Sequence, residues 1–122
     1  MNTKNIITSS NNPQIKNLAL LQKKAKARNE QGLFVVEGIK MFEEARNEGL
    51  LVKAYMSESF YNEKIKTPEF FNGLLYEIVS DSLFRQITDT MTPQGILGMV
   101  KKPVYNFENI LKAEGTFLLL LE

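Results

Sequence analysis

Lysines and amides, not catalytic pairs, are the side chains of this 122-residue chain with chemistry to offer. Histidine and cysteine are both lacking, which excludes imidazole acid–base pairs, thiol nucleophiles and the usual zinc-binding sets. Carboxylates are plentiful, yet none is spaced as a paired acid and base. Glu43, Glu44 and Glu48 fit the solvated side of a helix on which Lys40 can pair with Glu44. Neither a dinucleotide glycine fingerprint nor a Lys-bearing nucleotide loop is present. Gly95-Ile-Leu-Gly98 has the two-glycine spacing of one RNA-binding loop, but Ile96 and Leu97 are apolar where such a loop must be exposed, so a strand with close backbone contacts explains it better. Anion binding is what remains. Lys16, Lys23, Lys24 and Lys26, with Asn12 ahead of them and Lys101 and Lys102 near the other end, suit phosphate contacts that do not discriminate sequence. Gln94 carries a donor and an acceptor on one amide, suited to a base edge or a ribose hydroxyl. The competing reading of the lysines is a solvated helix face. For Thr92-Pro-Gln-Gly95 it is a tight strand entry whose shape Pro93 and Gly95 fix.

Charge supports a polyanion partner by its distribution and not by its sum. The formal net charge is only +1. Residues 1–31 carry six bases against the single acid Glu30, while the remainder carries nine bases against thirteen acids. The attraction therefore sits at one end of the chain. Length and composition fit one ordinary domain that buries about two thirds of its unfolded surface, enough to fold without a metal or disulfide. Met1-Asn-Thr-Lys4 lacks a secretory core, and the longest apolar run, Phe117 to Leu121, is too short to span a bilayer. A cytoplasmic address and no membrane partner are the expectations.

These residues need elements to hold them. Asn12-Pro13 reads as the N-cap and first position of a helix running to about residue 29. Leu18, Leu21 and Ala25 fall on its apolar face, with Lys16 and Lys23 opposite and Lys24 and Lys26 on the flanks. Leu33 to Val36 reads as a buried strand after Gly32. A second helix follows Gly38 with Ile39, Phe42 and Ala45 inward, and Gly49-Leu50 gives it a Schellman stop. Val52 to Met56 is a strand in which Val52, Ala54 and Met56 share one face and Lys53 and Tyr55 the other. Residues 58–73, with Pro68, suit one or two short helices. Leu75 to Val79 is a strand, Ser80 or Asp81 caps a helix with Leu83, Phe84 and Ile87 inward and Arg85 outward, and Gly95 to Val100 is a strand that Lys101, Lys102 and Pro103 end. This alternation predicts an α/β fold with a mostly parallel sheet and helices on both faces. Glu37, directly after a buried strand, either pairs with Arg28 and locks helix to strand or projects to an RNA-facing loop; repulsion of phosphate by a carboxylate favours the pair.

Three segments carry a family resemblance: Ser10-Asn-Asn-Pro-Gln-Ile-Lys16, Arg28-Asn-Glu-Gln-Gly-Leu-Phe-Val-Val-Glu-Gly38 and Thr90-Met-Thr-Pro-Gln-Gly-Ile96. Together they resemble the N-terminal substrate-binding domain of the SpoU/TrmH (SPOUT) family of RNA 2'-O-ribose methyltransferases. The resemblance implies a compact α/β/α sandwich like the kink-turn-binding ribosomal proteins, and an RNA partner, ribosomal RNA foremost. It also implies a knotted C-terminal domain that binds S-adenosylmethionine, forms a homodimer and holds the catalytic residues. Residues 1–103 are then the RNA substrate-binding domain. Residues 104–115, with Phe107, Ile110 and Leu111 at helical spacing, are a linker, and Leu118 to Leu121 the first strand of the next domain, so that the chain reads as half an enzyme. No catalytic, cofactor-binding or metal-binding residue is assigned within it. Two alternatives from other classes are a self-standing kink-turn-type RNA-binding protein and an α/β protein-interaction domain whose basic helix meets an acidic partner.

Overall fold

The computed structural model describes residues 5–88 and 93–103, and the strand and linker expected beyond residue 103 lie outside the described residues. The chain begins with a short strand β1 (Ile6–Ile7), which the sequence pattern does not reveal because two residues carry no periodicity. Helices α1 (Pro13–Lys23) and α2 (Ala25–Gln31) lead to strand β2 (Leu33–Glu37) and helix α3 (Ile39–Asn47). The Schellman stop forms as expected. The Leu50 N–H donates to Ala45 O and the Gly49 N–H to Arg46 O, each at 3.0 Å. Strand β3 (Leu51–Ser57), helix α4 (Glu58–Lys64), a 3-10 turn (Pro68–Phe71), strand β4 (Tyr76–Val79), helix α5 (Asp81–Ile87) and strand β5 (Ile96–Lys101) complete the fold. Ser57 and Ser80 cap α4 and α5, their hydroxyl oxygens accepting from the Phe60 and Leu83 amides.

The strands lie in the order β1-β4-β3-β5-β2. Four of them point the same way, as a mostly parallel sheet requires, and β5 alone runs against them between β3 and β2. The sheet is therefore mixed. β5 reverses because it starts at the sheet end where its neighbours finish, the Gly95 carbonyl accepting from Ser57 N–H and the Ile96 carbonyl from Gly38 N–H. Strict strand-helix alternation assumes instead that each connection carries the chain to the far end.

Both faces are covered, which makes the fold an α/β/α sandwich. Ile15, Leu18 and Leu21 of α1, Ala27 of α2 and Leu83 and Phe84 of α5 pack with Tyr55, Val79, Leu97 and Met99 on one face. On the other, Phe42 of α3 and Phe70 of the 3-10 turn pack with Ala54, Met56, Ile78 and Ile96, the two rings stacked at 5.9 Å. Val52 departs from expectation. A register shift between Leu51 and Lys53 inserts it as an extra residue, so it joins the cluster under α1 and not the face of Ala54 and Met56.

The close approach of α3 to β5 depends on Gly98. A Cβ there would lie 3.0 Å from Leu51 Cδ1, 3.2 Å from Val36 Cγ2 and 3.3 Å from Phe42 Cδ1. At the sheet end where β3 and β4 finish, Ser59 N–H and Oγ donate to the two Asp81 carboxylate oxygens at 3.0 and 2.6 Å, tying the starts of α4 and α5 together.

Two outcomes follow from these contacts. Gly98→Val overpacks the α3 layer and lowers the unfolding free energy by about 1–3 kcal/mol in urea titration; an unchanged midpoint would show that α3 has slack. The Ser59 hydroxyl, and then its amide, hold the Asp81 carboxyl below the ordinary 3.8. A depressed folded-state value gives stability that is present above the unfolded pKa and lost as pH falls through the folded one. Melting temperatures recorded down to about pH 2 should therefore fall more steeply for the native chain than for Asp81→Asn below about pH 4. Parallel curves would mean that the Ser59 link adds nothing.

Candidate nucleic-acid interface

Helix α1 carries the first half of the basic set. The Asn12 side-chain oxygen accepts from the Gln14 N–H at 2.8 Å, and Pro13 occupies the first helical position. With Ile15, Leu18 and Leu21 inward, Lys16 and Lys23 are exposed on the outer side, about 20° apart around the axis. What orients the helix is Gln14, which sequence reasoning passed over. Its Oε1 accepts from Lys53 Nζ at 3.0 Å and from the Tyr55 hydroxyl at 2.8 Å, while its Nε2 faces Glu77 at 3.4 Å. Lys53 and Glu77 pair at 3.1 Å. Burial, and then the Glu77 charge, push the Tyr55 phenol up to about 12. It stays a protonated donor across the neutral range. The polar alternation of Lys53 and Tyr55 in β3 was the only sequence signal of this network.

The single long helix expected over residues 13 to 29 is broken at Lys24, which is extended at φ −120° and ψ 115°. In an unbroken helix Ala27 would lie about 180° from Leu18 and face water. The break rephases the chain so that Ala27 is buried and Ala25, expected inward, is exposed. Arg28 makes the break tolerable. Its Nη1 donates to Leu21 O at 2.7 Å and Gln22 O at 3.3 Å, satisfying carbonyls that α1 leaves open at its end. Asn17 and Gln31 exchange two amide hydrogen bonds between α1 and α2.

The lysine stripe is consequently redirected at Lys24 and does not continue straight. Lys24 is exposed at the corner, and Lys26 is highly exposed with only a 4.0 Å contact to Glu30, a surface pair of little strength. β5 delivers the second half of the set to the same corner. The Lys102 N–H donates to Gly32 O, and its Nζ to Asn29 Oδ1 at 2.6 Å. Lys101 is exposed beside it. Arg28, Glu37 and Lys102 line one cleft of about 430 Å³ between this corner and β2, floored by Phe34 and Val35.

Gln94 lies elsewhere. Its Oε1 accepts from the Ile39 N–H at 2.7 Å and so caps α3. It lines a smaller cleft of about 200 Å³ with Gly38, Thr88 and Pro93, and Glu37 borders both clefts. Asn12 and Gln94 thus use their side-chain oxygens as helix caps. Gly95, next to Gln94, is fixed by space: at φ 93° a Cβ would meet Ser57 Oγ at 2.8 Å and Phe60 Cβ at 2.9 Å. Among the described residues no group of three or more acidic, His or Cys side chains is placed to hold a metal ion.

Comparisons with known proteins bear on the family and the fold. The family model described as the MRM3-like substrate binding domain matches residues 12–98. An RNA 2'-O ribose methyltransferase of known structure is 29% identical at a TM-score of 0.67, the match covering 84% of this chain and 39% of that one. An rRNA methyltransferase from Sinorhizobium meliloti shares the fold at 24% identity and a TM-score of 0.64, over 85% of this chain and 39% of its own length. So does the SpoU methyltransferase AviRb from Streptomyces viridochromogenes in complex with AdoMet, at 16% identity and 0.60, over 81% and 36%. The chain thus spans about two fifths of the length of these solved structures. No curated protein matches it. With the matched residues running from the cap of α1 into β5, the chain belongs to the family of MRM3-like substrate-binding domains.

Proposed function

We propose that this chain is the RNA-recognition part of an S-adenosylmethionine-dependent rRNA 2'-O-ribose methyltransferase. The observation that carries the reading is the match of a substrate-binding family model across the elements that hold the basic corner. Lys16 and Lys23 on α1, Lys24 and Lys26 at the break, and Lys101 and Lys102 at the end of β5 contact phosphates and position the RNA. Such contacts contribute affinity without reading sequence. Asn12 and Gln94, whose oxygens cap α1 and α3, reach the RNA through their amide nitrogens. Arg28 and Glu37 form the pair that braces the corner against β2. Residues 1–103 are the recognition domain. Residues 104–122 lead to a knotted domain that binds the methyl donor, forms the homodimer and carries the catalytic groups, and the enzyme works in the cytoplasm.

The solved relatives support this division of labour. One is an AdoMet-bound rRNA methyltransferase, of which this chain spans 40%. Geometry supports the phosphate role by bringing two basic groups far apart in sequence, Lys23 to Arg28 and Lys101 with Lys102, to one corner.

The test is titration of the 122-residue chain with structured ribosomal RNA fragments at several salt concentrations. Replacing Lys16, Lys23, Lys24 and Lys26 together by Gln should flatten the slope of log affinity against log salt by about 3. Equal slopes for both proteins would remove the lysine set from recognition.

A further inference from the structure

β2 is one edge of the sheet. Its even-numbered residues face β5, because the Gly38 N–H donates to Ile96 O and Gly32 O accepts from the Lys102 N–H. Hydrogen-bonding directions alternate along an antiparallel ladder, so Leu33 and Val35 turn both N–H and C=O away from the sheet. Among the described residues no backbone group pairs with them there. The other edge, β1, is only two residues long, whereas β2 has five and carries neither Lys nor Pro to block an approach.

This edge opens into the cleft of about 430 Å³. Val35 packs in the layer under α1 and Phe34 in the layer under α3, so a cleft that both residues line runs along the edge of the strand and not over either face. Its volume is that of a site for one small ligand. Charge gives it a direction. Lys102 stands at the Gly32 end, with Lys101 beside it, and Glu37 closes the strand five residues on, about 16 Å away in extended chain. A phosphate is drawn to the first end and repelled from the second.

We propose that this cleft takes one unstacked nucleotide of the RNA, with its phosphate at Lys102 and its base edge-on against the backbone of Leu33 and Val35. The proposal rests on the RNA-binding reading above and adds base discrimination, which phosphate contacts do not give. An outward N–H beside an outward C=O is the donor–acceptor pattern that the Watson–Crick edge of an unpaired base answers. Glu37 selects among bases. A carboxylate accepts from an exocyclic amino group and repels a carbonyl oxygen, and it has acceptor sites to spare beyond a pair with Arg28. Adenine or cytosine therefore fits better than uracil.

The probes are single-stranded oligoadenylate, oligocytidylate and oligouridylate of equal length. At fixed salt the 122-residue chain should bind oligoadenylate or oligocytidylate about fivefold or more tighter than oligouridylate. Val35→Pro removes one outward N–H, a change that edge strands accept, and should bring the three affinities within about twofold. Its salt slope should stay that of the native chain. Hydrogen exchange on the native chain needs no variant: the Leu33 and Val35 amides should exchange freely in the unbound chain and slow about tenfold or more when the preferred oligonucleotide binds. Equal affinities with a normal salt slope, a preference that survives Val35→Pro, or amides that RNA leaves unprotected would overturn base reading at this edge while the phosphate contacts stand. Binding to none of the three probes would remove the RNA reading itself and this one with it. Amides already protected without RNA, and more so at higher protein concentration, would overturn it by making a second copy the occupant.

Discussion

The insertion of β5 between β2 and β3 is the constraint on which the rest of the molecule depends. A strand that starts where its neighbours end must turn in tightly, and Gly95 does so against Ser57 and Phe60, where no larger residue fits. Once inside, the strand must let α3 lie close, and Gly98 supplies the missing bulk beneath Leu51, Val36 and Phe42. Strand pairing then places Lys101 opposite Leu33 and carries Lys102 to Gly32 and Asn29. The same strand thus closes the core and completes the basic corner.

Orientation of the basic helix rests on a second, polar, constraint. Leu18 and Leu21 bury α1 but leave it free to slide or roll, since dispersion and apolar burial are non-directional. Gln14 removes that freedom by meeting Lys53, Tyr55 and Glu77 at once. A fully partnered network of this type specifies one arrangement, because any displacement strands a charge or hydroxyl in a poorly solvated site. Lys16 and Lys23 therefore project from a helix that is held at its start by hydrogen bonds and at its end by Arg28 on the Leu21 and Gln22 carbonyls.

Much of the fold was legible beforehand. Asn12-Pro13, Gly49-Leu50 and Ser80 announced helix ends through local hydrogen-bonding chemistry that needs no distant partner. The apolar pattern of Phe42, Ala45, Leu83 and Phe84 picked out inward faces that the structure buries. The break at Lys24 was not legible, because no Gly or Pro marks it; it is selected by the burial of Ala27 and by carbonyls that Arg28 reaches from the next turn. The bulge at Val52 was hidden for a like reason, being a matter of register against β5.

For the candidate site the division is similar. Residue types alone excluded imidazole and thiol chemistry from this chain and left its lysines and amides as the candidate contacts, since charge and hydrogen-bonding capacity belong to side chains whatever their surroundings. The sequence also marked most of the segments that become helices or strands, β1 and the break at Lys24 excepted, because capping and periodicity act within a few residues. Tertiary structure alone decided that β5 runs against its neighbours, that Lys102 meets α2, and that Asn12 and Gln94 spend their oxygens as caps. Those outcomes turn on groups up to 73 residues apart along the chain, and contacts of that span form only when the whole sheet has paired.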